Sequence, residues 1–323
     1  MHKIPTLTRR VYRVLRRLLR VKRKAPRSPI LGDPILPVEL ERAIFEMVAH
    51  MHPAAIPALL RVARRVSVWI GPLFYRVVCV NRRDTSGALV WRLLNGMETE
   101  TPPCTYVRHL ALESWRHCSL FEARQLLQLC THLQDFGANA YFTDPALLSI
   151  LAEIGVRRLA VNPKALFGTA PIDLKHSVFR AVTHLDMFRV EGVAAVLADL
   201  PVLPALTHLS LDSDLSRALI LAVLPALPQL ELLLVQWHRF EQAEYEVARI
   251  PRVYDVRFVI GLYSDYWGDW EAGARGGVDV WARGDAFVLR KRRGEVECKV
   301  FSTPVSPRIV SHLVILATCY WLS

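Results

Sequence analysis

The side chains best suited to chemistry in this 323-residue sequence are its eleven histidines and six cysteines. Imidazole titrates near neutrality and binds zinc, and a thiolate is both a nucleophile and a metal ligand. Four histidines, His109, His132, His184 and His208, recur at one place in similar short segments, which marks an inherited repeat position. A general base would need a nucleophile or an orienting carboxylate beside it, and none is evident. His50 and His52 stand two apart at a helix break, with no Cys or carboxylate near enough in sequence to complete a metal set. Cys79, Cys104, Cys118, Cys130, Cys298 and Cys319 are scattered without C-x-x-C spacing, as expected of reduced thiols in a cytoplasmic or nuclear protein. Asp265 and Asp269, like Glu295 and Glu297, are acids on polar segments. No G-x-S-x-G, Walker loop, G-x-G-x-x-G or H-E-x-x-H occurs. The expectation is a protein that is not an enzyme, needs no cofactor or metal, and acts by binding.

The chain is long enough to bury a sizeable core, and 52% of it is hydrophobic. Its formal net charge of +11 suggests nucleic acid until the charge is located. Residues 1–28 contain eleven Lys or Arg and no acid, and the remaining 30 basic residues balance 30 acidic ones. The charge therefore belongs to a tail, and the body carries no nucleic-acid signal. Aromatic and basic residues are not interleaved as an RNA platform requires. No secretory h-region is present, and the most apolar run, Ile309–Leu322, is too short to span a bilayer.

Within the tail, Leu7, Val11, Val14, Leu18 and Val21 step by four and three, which predicts a basic amphipathic helix. Such a helix suits an anionic membrane surface, a mitochondrial import receptor, or a nuclear address centred on Val21-Lys22-Arg23-Lys24, and it equally suits a solvated tail. Pro26, Ser28, Pro29, Gly32 and Pro34 form a linker, so residues 1–34 read as separable.

Residues 35–80 predict three short helices and an extended end. Leu36-Pro37 opens the first, with Glu39 and Glu41 at the positive end of its dipole and Leu40, Ile44, Phe45 and Val48 in one stripe. His52-Pro53 breaks it. Ile56, Leu59, Leu60, Val62, Ala63 and Val66 belong to a second helix, and Trp69 to Arg76 to a third. Val77 to Val80 is extended. This run resembles an F-box in the diverged form of fungal (basidiomycete-type) families. The matching pieces are Leu36-Pro37, Glu39-Leu40, Ile44-Phe45, His52-Pro53, Leu60 and Val62 with Arg64-Arg65, and Pro72-Leu73 with Tyr75-Arg76. Val66 stands where Trp is frequent. The resemblance implies a Skp-type ligase adaptor as partner, docked by Leu36, Pro37, Leu40, Ile44, Phe45, Leu60 and Val62 as an apolar helix-in-groove contact.

Residues 81–262 repeat an apolar-x-x-Leu-x-apolar pattern. Its central residues are Leu110, Leu133, Leu159, Leu185, Leu209, Leu233 and Val256, separated by 23, 26, 26, 24, 24 and 23 residues. The segments between (Leu120–Leu129, Pro145–Glu153, Leu174–Ala181, Gly192–Leu200, Leu215–Leu224) read as helices. One strand and one helix cannot bury their own faces, but stacked copies can. The rival is a doubly wound α/β sheet, against which the steady period argues. The period and the L-x-x-L-x-L strands resemble degenerate leucine-rich repeats, with Asn162 a remnant of the usual Asn ladder. The fold class expected is α/β, a short all-helical F-box-like motif followed by a curved leucine-rich-repeat-like solenoid with a parallel sheet. By alternation, its concave face presents His109, Glu113, Arg158, Asn162, His184, Asp186, Phe188, His208, Asp212 and Gln236 to an unidentified target protein.

Residues 263–297 predict a cap. Tyr263, Tyr266, Trp267, Trp270 and Trp281 crowd a stretch with Asp265, Asp269 and Glu271, which suits either a recognition loop or an aromatic lid closing the last repeat. A terminal helix runs from Trp281 to Lys291. Trp-rich, basic closing segments of this kind also occur in the fungal F-box-like families. Residues 298–323 lose the pattern and read as an irregular tail, consistent with an altered gene end. The function expected is substrate recognition in a cullin–RING (SCF-type) ubiquitin ligase. The alternative is a non-ligase scaffold directed to a membrane or organelle by the basic helix.

Overall fold

A computed structural model describes residues 36–81, 85–96, 101–189, 196, 199–212, 217–237, 253–263, 265–296, 300–301 and 315–318. The expected basic helix and linker of residues 1–34 lie outside these. The chain divides into residues 1–43 and 44–323. The described part of the first is the opening of helix α1 (Val38–Met51), where Pro37 O accepts from the amides of Leu40 and Glu41 at 3.0 Å.

In the second unit, a 3₁₀ turn at Pro53–Ala55 leads into a single-turn α2 (Ile56–Leu59), and then α3 (Arg64–Tyr75). The second helix is thus shorter than expected, and Val66 belongs to the third. Pro57 is tolerated because it sits in the first turn of α2, where no intrahelical N–H is needed. Ala63 is then extended, at φ −160° and ψ 157°, and restarts the chain as the N-cap of α3. Ala49, Ile56, Leu59, Val66 and Ile70 form a small core of their own, with Phe45, Val48, Leu60 and Leu73 packed on it. Val66, at the position where Trp is frequent, is fully buried at its centre.

The body is α/β with an eight-stranded parallel sheet. Its strands are β1 (Val77–Val80), β2 (His109–Leu112), β3 (Asp135–Ala138), β4 (Arg158–Val161), β5 (His184–Met187), β6 (His208–Asp212), β7 (Leu232–Trp237) and β8 (Phe258–Leu262). Each pairs with the next in sequence, so the order of the eight parallel strands is consecutive. The extended Val77–Val80, expected to close the helical motif, is the first strand of this sheet.

The register aligns Val78, Leu110, Phe136, Leu159, Leu185, Leu209, Leu233 and Phe258, separated by 32, 26, 23, 26, 24, 24 and 25 residues. Two of the expected central positions are therefore corrected. Leu133 lies in the turn before β3, and Phe136 takes its place. Val256 gives way to Phe258 in the same manner. In both cases the larger phenyl side chain fills the core layer, and the copy of the pattern two or three residues earlier is coincidental. His132 consequently sits exposed in a turn, and Asp135 aligns with His109 on β2 and with Arg158 on β4.

On one sheet face lie α4 (Thr85–Asn95), α5 (Leu120–Leu129), α6 (Leu147–Ile154), α7 (Pro163–Phe167) and α8 (Arg217–Ala226). Helix α4 falls in a stretch for which the sequence predicts no element. A capping box starts α5, with Ser119 Oγ accepting from Glu122 N and Glu122 Oε2 accepting from Ser119 N. Gly155, at φ 70°, ends α6 in the left-handed conformation that glycine adopts freely. The expected helix at Leu174–Ala181 is only a 3₁₀ turn at Ser177–Phe179, and most of Gly192–Leu200 lies outside the described residues. Leucines and phenylalanines of this face make one continuous core from Val78 to Leu262.

The opposite sheet face is covered by α9 (Tyr266–Ala274) and α10 (Val280–Arg292). The aromatic stretch is thus a helix, and it lies across the strands instead of closing the end of the stack. Helix α9 packs near β1 and β2, and α10 on β7 and β8, where Leu232, Leu234, Val259, Val280, Trp281 and Val288 form a second core. At the far edge, β10 (Ile315–Thr318) pairs antiparallel with β8 and with β9 (Val300–Phe301), so part of the expected irregular tail is strand. Among the described residues no helix is long and apolar enough to cross a membrane.

Candidate functional site

Three features bear on function, and the first is the face of the helical motif. Leu40, Ile44, Met47 and Met51 step by four, three and four along α1, the spacing of one helix stripe. Of the seven residues expected to dock an adaptor, Leu36, Leu40, Ile44 and Val62 are 41%, 54%, 47% and 50% exposed. Pro37 is exposed as well, while Phe45 and Leu60 are half-buried against the small core. Met47, Met51 and Val68, all in the second unit, are exposed as well.

The second is the strand face expected to meet a target. Alternation correctly separates its side chains from the core row, but they are not free. His109 Nδ1 lies 3.5 Å from Asp135 Oδ2, and the Trp270 indole N–H donates to Asp135 Oδ1 at 3.3 Å. Arg158 pairs with Asp279 at 3.3 Å, and His208 Nε2 with Asp285 Oδ1 at 3.0 Å. Because a carboxylate only accepts, His208 Nε2 carries a proton, and Nδ1 lies 2.8 Å from the Thr207 hydroxyl, which also reaches the Thr183 carbonyl at 3.2 Å. The Trp281 ring stands edge-on to both His184 and His208. Burial, His208 and Arg158 together pull the His184 pKa down to about 3. Asp186 accepts from the Tyr266 hydroxyl at 2.8 Å, and burial together with the carboxylates of Asp186, Asp135 and Asp269 pushes that phenol well above its usual range.

These side chains are therefore engaged within the chain: Arg158, His184 and His208 with residues of α10, His109 with Asp135 of β3, and Asp186 with Tyr266 of α9, although Asp186 also borders the strand-end cleft described below. The cavity left between Asp135, Arg158, His184, Asp186, Tyr266 and Trp281 is about 20 Å³, room for a water and not for a ligand. Asn162 Oδ1 accepts from Ala165 N at 3.0 Å and so caps α7. Glu113 is half-buried beside Asn139, whose amide donates to its carbonyl. The backbone of Asp212 completes β6, and its side chain lies outside the described residues. Sequence reasoning missed Asp135, because the copy of the pattern at Leu133 drew the register three residues early. It also read Tyr266, Trp267 and Trp270 as a lid, although their spacing on a helix with Asp269 was visible.

The third feature is a cleft of about 510 Å³ at the carboxyl ends of the strands, reaching the first turn of α9. Asn139, Asn162, Phe188 and Gln236 come from strand ends, and Tyr263, Tyr266 and Trp267 from the entry to α9. Four of the expected partner-facing residues line it: Asn162, Asp186, Phe188 and Gln236. A second cleft, of about 470 Å³, opens at the other strand ends among Arg76, Arg157, Arg158 and Arg275. Among the described residues no group of three His, Cys, Asp or Glu could hold a metal ion. Compared with protein-family models, curated proteins and solved structures, the chain matches none.

Proposed function

We propose that this chain is a protein-binding adaptor of the F-box-like kind, recruiting a target to a cullin–RING (SCF-type) ubiquitin ligase. The helical motif docks a Skp-type adaptor, and a leucine-rich-repeat-like solenoid body carries the target. One observation carries the reading. The motif has a core of its own, and it nevertheless leaves Ile44, Met47, Met51, Val62 and Val68 in solvent. Apolar side chains that are not needed for folding and are grouped in one small motif mark an interaction surface. Their residue types match the apolar helix-in-groove contact implied by the sequence resemblance. The consecutive strand order and the spacing of 23 to 26 residues from β2 to β8 support the repeat-built body.

The test is co-elution of the purified full chain with a purified Skp-type adaptor. Ile44→Asp places a charge in the contact and is expected to weaken it at least about tenfold. Its circular dichroism should match the wild type, since Ile44 is 47% exposed. Absence of binding by the wild-type chain rejects the reading.

A further inference from the structure

The strand-end cleft has a chemical polarity that defines its occupant. Its floor is made of acceptors. Asp186 Oδ2 already accepts from Tyr266 and, at 3.0 Å, from Gln236 Nε2. Gln236 Nε2 also reaches Ser210 Oγ at 2.6 Å. Because a carboxylate can only accept, the Gln236 amide is fixed with its nitrogen toward Asp186 and its oxygen turned away. That oxygen, Oε1, is buried without a hydrogen-bond partner, in a side chain 3% exposed. A buried acceptor left unmatched costs stability unless something supplies a donor.

The walls are aromatic. Phe188, Tyr263 and Trp267 each meet Tyr266 edge to face, with centroids 5.1, 5.8 and 5.0 Å away. Tyr141 stands at the mouth. The rim, in contrast, offers donors. Asn162 has spent its oxygen on the α7 cap. The Arg189 side chain is exposed and has no ion-pair partner among the described residues. Arg189 is also the one non-glycine residue among those described with a positive φ, 47°, a conformation that costs energy and that recurs at binding sites.

Acceptors below, π faces around and donors above suit a ligand whose buried end is a planar, donor-rich cation and whose outer end carries carbonyl or carboxylate oxygens. We infer that this cleft receives the side chain of an arginine in a target polypeptide. The guanidinium lies among the rings of Tyr263, Tyr266, Trp267 and Phe188 and donates toward Gln236 and Asp186. The flanking peptide oxygens meet Asn162 and Arg189. Guanidinium fits better than ammonium, because its plane stacks on aromatic faces and its several N–H groups diverge toward several acceptors. A cleft of about 510 Å³ is of the size that takes such a group. The inference rests on the target-recruiting reading only for the occupant being a polypeptide.

The experiment is calorimetric titration of the full chain with N-acetyl-arginine methylamide, and with its lysine and citrulline counterparts. Citrulline keeps the shape and removes the charge. The arginine probe is expected to bind at least tenfold more tightly than either. Gln236→Met should weaken it several-fold; because it also removes the Nε2 bonds to Asp186 and Ser210, its melting temperature is measured alongside and the titration is run well below it. Tyr141→Ala, at a half-exposed rim position, should weaken it as well. Equal binding of citrulline or lysine, no saturable binding up to about 50 mM, or unchanged binding by both variants overturns the inference. Adaptor co-elution is scored on the same preparations. Loss of the adaptor with the arginine probe still bound fails the ligase reading alone, and the converse fails the cleft alone.

Discussion

The imidazole of His184 stacks on that of His208, with centroids 4.0 Å apart and planes at 7°. The two rings occupy the same position on adjacent strands β5 and β6, one of the few cases in which the repeat is legible in identical side chains. Arg158 follows on β4, so three bases stand in one row under α10. Asp279 and Asp285 of that helix answer the first and the last of them. His184, in the middle, has Trp281 against it and, among the described residues, no carboxylate within pairing distance.

This row sets a pH dependence. The folded pKa of His184, about 3, lies below the unfolded value of 6.5. Between these limits the unfolded chain takes up a proton that the native ring refuses, so stability falls as the pH falls. The loss is at most about 1.4 kcal/mol per pH unit. Denaturant midpoints measured from pH 7 to pH 4 should decline, and His184→Phe, which keeps the stack, should flatten the decline. An unchanged slope in the variant would remove His184 as its cause.

Gly137 on β3 allows α9 to approach. A Cβ at this position would lie 2.9 Å from Trp267 Cζ3, so the ring or the helix that carries it must shift. Gly137→Ala is expected to cost about 1–3 kcal/mol as overpacking, read as a lowered melting temperature. The same variant should also weaken the arginine probe, because Trp267 is a wall of the cleft.

Asp279 does two things at once. Its Oδ1 accepts from Ala282 N at 2.9 Å to cap α10, and its Oδ2 pairs with Arg158. Asparagine can cap but cannot pair. Asp279→Asn should therefore cost only a few tenths of a kcal/mol, about what a half-exposed ion pair contributes. Asp279→Ala should cost about 1–2 kcal/mol through loss of the cap. Equal losses in urea melts would mean that the ion pair, not the cap, carries the contribution.

Thiol reactivity should follow burial. Burial, with the charge of Glu122 adding to it, pushes the Cys118 thiol up to about 12, leaving on the order of one thiolate in ten thousand at pH 8. Cys79 is only partly buried. Iodoacetamide labelling of the native chain followed by mass spectrometry should modify Cys79 well before Cys118. Early labelling of Cys118 would show that α5 opens.

The sequence by itself determined the α/β class, the parallel sheet, and the alternation that separates core leucines from polar strand residues. These depend on local period and on burial, which are written in every repeat. Leu120–Leu129 is both the predicted and the observed helix, because Ser119 and Glu122 cap it from within the segment. The register at β3 and β8 was not legible, since Leu133 and Val256 offer the same local pattern as Phe136 and Phe258. Only the neighbouring strands, with space for a phenyl ring, choose between them. The fate of the polar strand face was decided by tertiary structure alone. Alternation says that His109, Arg158 and His208 point away from the core, and nothing local says what they meet. The answer comes from residues up to 121 positions away, through pairs such as Arg158 with Asp279. Folding α9 and α10 back over the sheet gives Arg158 and His208 their carboxylates. It also leaves the strand-end cleft as the opening that retains Phe188, Asn162 and Gln236.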